Sequence, residues 1–228
     1  MPSQPATPAA GERQRDADRT RAEILEIAQR EFARHGYAGA RVDDIAALMR
    51  TTKRMIYYYF GGKENLYIAV LEKAYQEVRS LESTIDVQHL APVEAIRTLA
   101  ELTFDHHEAH PDFIKLVSIE NIHQAEHLRK SEALVNLGAP VVELISQILQ
   151  AGRASGDFVA DADAIDVHMM ISSFCFFRIA NQYTFGTLFG RDMTAPEHRE
   201  RHRRMIGEMV VAYLTGAGPG AGAGLPPA

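Results

Sequence analysis

The run KRMIYYYF at positions 53–60 is the densest group of side chains in this sequence that could bind a charged partner. Lysine and arginine neutralise phosphates, and an arginine can also hold the edge of a guanine with two hydrogen bonds. On a helix, Ile56 and Phe60 lie four residues apart and share one face, which we expect to point inward. The basic and tyrosine side chains then point outward, where a tyrosine hydroxyl can donate to a phosphate oxygen. The run therefore predicts a helix that contacts DNA.

The predicted contacts extend beyond this run. Lys63 begins the next helix, where its charge would add to the N-terminal amides that face a phosphate. The predicted DNA-contacting side chains are Arg41, Thr52, Lys53, Arg54, Met55, Tyr57, Tyr58, Tyr59 and Lys63. The alternative is that the three consecutive tyrosines are core aromatics of a helical bundle, although the spacing leaves room inside for only one of them.

Polar residues inside apolar helical stripes are candidates for a second kind of site, one that binds a small molecule. Arg178 follows the apolar run FCFF, and a buried guanidinium needs a partner, for which a ligand carboxylate is one candidate. The alternatives are that Arg178 pairs with Glu120 or another acid, or that it faces solvent. The predicted ligand-binding residues are Phe104, His107, Asn121, His123, Phe174, Arg178 and Asn181. We therefore expect an effector that is an organic acid or an aromatic compound.

Histidine pairs offer an enzymatic alternative, a metal-dependent hydrolase. Pairs four residues apart can bind a metal ion from one helix face. The pairs with this spacing are His106 with His110, His123 with His127, and His198 with His202. No third ligand or water-activating acid stands at a fixed spacing from them, so we predict no metal and no cofactor. Cys175 lies among phenylalanines, where a thiolate would be poorly stabilised. We predict no catalytic residue and no enzyme.

The charge distribution agrees with a DNA-binding N-terminal part. The 228 residues carry a net charge of −6, but positions 13–63 hold eleven Lys or Arg and seven Asp or Glu, a local balance of +4. The rest of the chain therefore carries −10. A basic end can dock on phosphates while an acidic body stays clear of them. The single cysteine excludes an intrachain disulfide, and neither a secretory signal nor a membrane span is evident. We expect a cytoplasmic protein.

The periodicity of apolar residues is helical nearly everywhere and predicts an all-α protein of about nine helices. A short helix, the tight turn Arg50-Thr51 and a third helix capped by Thr52 make up a helix-turn-helix arrangement. The predicted eighth helix, about 163–185, is apolar almost all round, so we expect it to face a partner subunit together with the ninth helix, about 196–214. The predicted units are a disordered arm at 1–18, a three-helix helix-turn-helix DNA-binding domain at 19–64, a helical ligand-binding and dimerisation domain at 65–214, and a flexible tail at 215–228.

A family resemblance adds to this interpretation. The segment Thr20–Leu71, with FARHGY, VDDIA and TTKRMIYYYFGGKENLYIAVL, resembles the DNA-binding domain of the TetR (tetracycline repressor) family. The resemblance implies a homodimer on a pseudo-palindromic operator in double-stranded DNA, with a ligand cavity enclosed by helices five to seven and release by a small-molecule effector. An activator, or a DNA binder that its effector stabilises, stays open as an alternative.

The chain departs from the family pattern at the positions of the helix-turn-helix. Arg50 replaces the usual glycine of the turn, and Arg54 and Met55 replace small residues. Arg41 stands where the second helix commonly has a threonine or serine cap. These differences leave the fold intact and imply a distinct operator sequence.

Overall fold

We describe a computed structural model of the chain, which covers residues 10–49, 52–85 and 89–216. These residues form eleven α-helices and one 3₁₀ turn, and no strand occurs among them. The helices are α1 Ala10–Gly39, α2 Val42–Leu48, α3 Lys53–Phe60, α4 Lys63–Glu82, α5 Pro92–Ala109, α6 Pro111–Ile122, α7 Glu132–Asn136, α8 Ala139–Ser155, α9 Ala164–Ala180, α10 Gln182–Phe189 and α11 Pro196–Thr215. The 3₁₀ turn is Leu128–Lys130. The prediction of an all-α fold is confirmed.

Helices α1, α2, α3 and the start of α4 form an N-terminal unit that we call the head. Phe32, Ile45 and Ile56 are fully buried in its core. Gly36 interrupts α1 with a left-handed φ of 69°, which a glycine adopts without a steric penalty. Gly61 ends α3 in the same region, and its N–H donates to the Tyr57 carbonyl. The segment between these two breaks contains α2 and α3.

The remaining helices form the body, in which α5 packs against α8, α9 and α11. Two arginines of α11 bind acids of α5 along this seam: Arg199 Nε donates to Glu108 at 2.5 Å, and Arg203 Nε to Asp105 at 3.0 Å. By length and composition one segment, Glu132–Ser155, could cross a membrane. The structure divides it into α7 and α8, and the apolar face of α8 lies in the core of the body.

The first helix is longer than predicted. It begins at Ala10 instead of about residue 19, so the predicted disordered arm is helical over 10–18. The segment is rich in good helix formers, and an ion pair between Asp16 and Arg19, one turn apart, supports it. Residues 1–9, most of the predicted tail (217–228) and the turn Arg50-Thr51 lie outside the described residues.

Two of the predicted helices are divided, which accounts for the higher helix count. The apolar positions from Leu134 to Leu149 predict one helix, the seventh, but the chain stops being helical at Asn136 and restarts at Ala139, where Pro140 occupies a first-turn position. The predicted eighth helix breaks at Asn181, which ends α9 with a φ of −104° and a ψ of 9°. The apolar periodicity continues through both breaks, so it gave no signal of them.

Candidate functional site

Helix α3 presents one buried and one open face. Ile56 and Phe60 are buried, as their spacing predicts. Tyr57 is 46% exposed and Tyr58 is 78% exposed. Tyr59 is half-buried and packs against the core of the head. The structure therefore places two of the three tyrosines outward and one partly inward. The sequence left two alternatives open, that all three face outward or that they are core aromatics, and the structure agrees with room inside for only one.

The basic residues on and next to the exposed face of α3 differ in whether they have partners within the protein. Arg54 is exposed and makes no hydrogen bond or ion pair with any residue that the structure describes. Lys53 is exposed but forms an ion pair with Asp43 at 3.1 Å. Lys63 points back into the head, where Nζ donates to the Ala38 carbonyl at 3.4 Å. Partial burial lowers the pKa of Lys63. Of the three cations, Arg54 is the most available to a partner.

The caps of α2 and α3 are made by the backbone. Thr52 precedes α3 with an extended backbone, but its side chain forms no cap hydrogen bond, so the prediction that the Thr52 side chain caps this helix is wrong. The N–H of Met55, at the third helical position, donates instead to the Thr52 carbonyl at 2.9 Å. Arg41 precedes α2 in the same way and is exposed. Met55 itself is half-buried.

A cavity of about 350 Å³ lies in the body between α4, α5, α6 and α9. Polar side chains outnumber apolar ones in its lining, but most of the surface that these side chains present to the cavity is apolar. Its apolar side chains are Val78, Phe113, Val117, Met169 and Phe176. Its polar side chains are Tyr75, Arg79, Glu82, Thr103, His107, Asn121, His168, Ser172 and Ser173. An apolar cavity with a few convergent polar groups is the usual form of a small-molecule site.

The cavity holds one buried ion pair and two neutral histidines. Arg79 donates to Glu82 at 2.6 Å, and Arg79 Nε has no hydrogen-bond partner within the described residues. Burial raises the pKa of Glu82 to about 7, against the opposing effect of Arg79. Burial lowers the pKa of His168 and lowers that of His107 to about 4. The wall therefore offers a guanidinium donor and uncharged imidazoles.

The hydrogen bond of His107 sets its tautomer. Its Nδ1 lies 2.7 Å from the Thr103 carbonyl, which can only accept, so Nδ1 carries the proton. Nε2 is then left as an acceptor for a ligand hydroxyl or N–H.

The structure separates the predicted ligand-binding residues. His107 and Asn121 line this cavity, whereas Phe174 and Arg178 line another cavity, of about 470 Å³, between α9 and α11. His123 is exposed on the surface. The other two predicted residues line neither cavity: Asn181 is the C-cap of α9, and Phe104 is buried in the body core.

Both terminal nitrogens of Arg178 have partners within the protein, whereas its Nε has none among the described residues. Arg178 is 3% exposed. It donates to Glu108 at 2.6 Å and to the Met193 carbonyl at 3.1 Å, and its guanidinium lies 4.2 Å from the Phe104 ring centroid. The acid that it pairs with is Glu108 and not Glu120. This geometry favours a structural role over the ligand contact predicted from the sequence.

The ion pair of the cavity was not predicted from the sequence. Arg79 and Glu82 stand three residues apart on α4, and Arg79 also lies one position after Val78 in the apolar stripe of that helix. Two opposite charges at that spacing beside a buried apolar stripe could have indicated a partly buried ion pair. His168 carried a weaker one, because it precedes the apolar run of α9.

The histidine pairs do not converge on a common ligand position. No group of three or more metal-binding side chains occurs in the part of the chain that the structure describes. His106 stacks on His110 with ring centroids 4.3 Å apart. His127 is engaged with Glu120 while His123 is exposed.

Acid should destabilise the protein through His107. Its folded-state pKa of about 4 lies below the unfolded value near 6.5, so its stabilising contribution is present above pH 6.5 and is lost as the pH falls toward 4. Between pH 6.5 and 5 the loss should be about 2 kcal/mol. His107→Gln keeps an N–H donor but does not titrate, so its melting temperature should fall less over this pH interval. His123→Gln, at an exposed site, should retain the wild-type profile, and equal profiles for all three proteins would contradict the assignment.

A helix-turn-helix head with an exposed basic and aromatic helix, joined to an all-helical body with a ligand-sized cavity, defines a DNA-binding transcription regulator. Residues 24–70 match the family described as bacterial regulatory proteins, tetR family, and residues 92–210 match the tetracyclin repressor-like C-terminal domain. The chain belongs to the TetR family. It is a regulator and not an enzyme.

Relatives and solved structures agree with this assignment. The chain is 36% identical over 204 residues to the HTH-type transcriptional repressor NicS of Pseudomonas putida, covering 90% of this chain and 96% of the relative. It is 42% identical over 110 residues to the repressor SCO4008 of Streptomyces coelicolor, covering 47% and 53% of the two chains. The crystal structure of the putative regulator SCO4942 from Streptomyces coelicolor superposes with a TM-score of 0.66 at 26% identity, covering 86% and 98%.

Proposed function

We propose that this protein is a repressor that binds a pseudo-palindromic operator as a homodimer and leaves it when a small molecule occupies the cavity between α4, α5, α6 and α9. One observation carries the proposal: α4 begins at Lys63, next to the end of α3, and its last turns supply Arg79 and Glu82 to the cavity wall. A ligand that contacts Arg79 therefore acts on α4, the helix that directly follows the DNA-contacting helix α3. The names of the relatives, which are called repressors, support the direction of control.

The proposed mechanism is a shift between two conformations. The free dimer holds its two α3 helices about 34–36 Å apart, one turn of DNA, so that both reach the major groove. A ligand that prefers another position of α4 separates the heads and lowers the affinity. A ligand with equal affinity for both conformations would change nothing.

The chemistry of the cavity indicates the class of effector. The apolar walls fit an aliphatic or aromatic body, and Arg79 is the nearest donor for a carboxylate. A cationic ligand would be repelled by Arg79 and would find the histidines uncharged. Glu82, the only acid among the lining residues that the structure describes, is already paired with Arg79 and has its pKa raised by burial to about 7. We therefore propose an organic acid or an aromatic compound as effector, with Arg79 in place of Arg178 as the donor to a carboxylate and His107 Nε2 as the acceptor of a ligand hydroxyl or N–H.

We propose that α9, α10 and α11 form the dimer interface. Helices α9 and α11 leave a row of large apolar side chains in solvent, and α10 has no buried residue. The exposed side chains are Ile165, Phe177, Tyr183, Leu188, Phe189, Met209 and Tyr213. A patch of this kind marks a protein–protein contact. Two copies related by a twofold axis would cover it on both chains.

A charge on this face should break the dimer. Met209 is 45% exposed and lines the cavity between α9 and α11. Met209→Glu should give the mass of one chain by light scattering at micromolar concentration, because a carboxylate would be buried without a partner. Leu48→Glu changes an exposed apolar residue of α2 and should leave the dimer intact. A dimeric Met209→Glu variant would place the interface elsewhere.

A selection experiment tests the function as a whole. The purified protein is used to select duplexes from a random library, and the enriched sequence is read for twofold symmetry. Binding to the selected duplex is then measured by fluorescence anisotropy with a panel of small aromatic and aliphatic acids and their neutral amides. Release by an acid supports the proposal, and tighter binding would favour the effector-stabilised alternative. A reporter gene under the selected duplex distinguishes repression from activation. We expect the protein to act in the cytoplasm.

A further inference from the structure

A buried carboxylate ties the end of α6 to the chain that follows it. Glu120 is 3% exposed, and its Oε2 accepts the backbone N–H groups of His127 at 3.2 Å and Leu128 at 3.1 Å. Its Oε1 lies 3.1 Å from Nδ1 of His127. Between these anchors, Gln124 and Ala125 have left-handed φ values of 56° and 58°, which non-glycine residues rarely adopt. The carboxylate therefore holds a strained turn in one shape.

We call residues 120–131 the strap, because they run from α6 onto the head. The buried His127 ring packs against two tyrosines, with ring centroids 4.2 Å from Tyr37 and 4.9 Å from Tyr67, and the two tyrosine rings also contact each other at 5.2 Å. Tyr37 follows the Gly36 break at the end of α1, and Tyr67 lies on the first turns of α4.

The strap has two further contacts with α4. Lys130 pairs with Glu64. Ser131 Oγ donates to Glu72 at 2.6 Å. Three residues of the strap thus contact the first half of α4.

Tyr37 also contacts the first residue of α4. Lys63 Nζ lies 4.7 Å from the centroid of the Tyr37 ring, a cation–π distance, and donates to the carbonyl of the next residue, Ala38. Lys63 stands three positions after Phe60, where α3 ends. A movement of His127 against Tyr37 would therefore be passed through the Tyr37 ring to Lys63, next to the C-terminal end of α3.

The other end of the strap touches the cavity. Val117 and Asn121 of α6 line the cavity between α4, α5, α6 and α9, and Asn121 directly follows Glu120 in the sequence. We propose that the strap carries the effector signal from α6 to the head, with Glu120 as the residue that positions His127 against Tyr37. This inference rests on the proposed function, because it describes how occupancy of the cavity changes DNA binding.

The first test compares two carboxylates of the strap in the full-length protein. Glu120→Gln removes the charge that holds the strained turn, whereas Glu126→Gln removes an exposed charge that pairs with Lys130 at 3.5 Å. Anisotropy is measured with the selected duplex and with a scrambled duplex. We expect Glu120→Gln to weaken binding to the selected duplex at least tenfold while binding to the scrambled duplex stays within twofold, because no DNA-facing charge changes. Glu126→Gln should stay within twofold on both. Equal affinities of Glu120→Gln and wild type would overturn the proposal.

A second variant covers the case in which Glu120→Gln does not fold. His127→Asn can still donate to Glu120 but removes the ring that packs against Tyr37 and Tyr67. Circular dichroism should show a folded protein, and the selective loss of affinity should be as large as for Glu120→Gln. A folded His127→Asn variant with wild-type affinity would contradict a role for the ring.

The last test replaces the unidentified effector by a side chain. Ser172→Phe on α9 fills part of the cavity, and we expect about a tenfold loss of affinity for the selected duplex. With Glu120→Gln, the second substitution should add less than a twofold loss, because the connection is already broken. Additive losses would overturn the strap but leave the cavity as sensor. If Ser172→Phe alone has no effect, the proposed function is contradicted, and the strap is judged by the variants above.

Discussion

Arg178→Met is expected to lower the free energy of unfolding by about 3 kcal/mol and the melting temperature by about 6–12 °C. The guanidinium is almost fully buried, and its removal deprives Glu108 and the Met193 carbonyl of a donor. Removing one partner of a buried pair is costly because the other partner loses its compensation. Glu108 keeps its bond to Arg199 and is partly exposed, so the loss should lie at the lower end of the range for such pairs.

The control is an arginine whose ion pair lies in solvent. Arg204 pairs with Glu208 at 3.5 Å, and both side chains are mostly exposed. Arg204→Met should change the stability by less than about 0.5 kcal/mol. Thermal melting followed by circular dichroism measures both variants. An unchanged melting temperature for Arg178→Met, together with a lost response to effector, would restore the ligand role that the sequence favoured.

Arg178 also illustrates which features the sequence could predict. The inward positions of α3 follow from a spacing of four residues on one helix, which is a local property. The partner of Arg178 lies seventy positions earlier, on α5, and several acids of the chain were equally plausible from sequence. Periodicity specifies the face of a helix but not the helix that packs against it, so Glu108 could not be identified.

The candidate sites were likewise predictable where their residues are close in the sequence and unpredictable where they are far apart. The head was predictable because its motif, breaks and buried positions all lie within about fifty residues. The cavity assembles side chains from four helices between Tyr75 and Phe176, and only His107 and Asn121 were anticipated. The break at Asn181 also escaped prediction, because apolar residues continue on both sides of it. The strap depends on a carboxylate that binds backbone N–H groups, a pattern with no signature in residue spacing.

The largest effect on DNA binding is expected from Arg54→Ala. The side chain is exposed on the open face of α3 and is not engaged with any described residue, so it is free to hold a base. A bidentate arginine–guanine contact contributes about 1–3 kcal/mol, and a dimer makes it twice. The loss should therefore be about 2–6 kcal/mol, or between about 30-fold and 10⁴-fold in affinity for the selected duplex.

Lys53→Ala is the matched comparison, because Lys53 is the neighbouring cation and we assign it to phosphate. It should weaken binding to selected and scrambled duplexes by the same factor, and two lost phosphate contacts per dimer should make the slope of log affinity against log salt shallower by about two. Arg54→Ala should instead reduce the difference between the two duplexes, because a base contact carries the sequence information. Anisotropy titrations of both variants at several salt concentrations separate these effects. If Arg54→Ala weakens both duplexes equally and flattens the salt dependence, Arg54 contacts phosphate, and the sequence must be read by other side chains of the open face, such as Tyr57 and Tyr58.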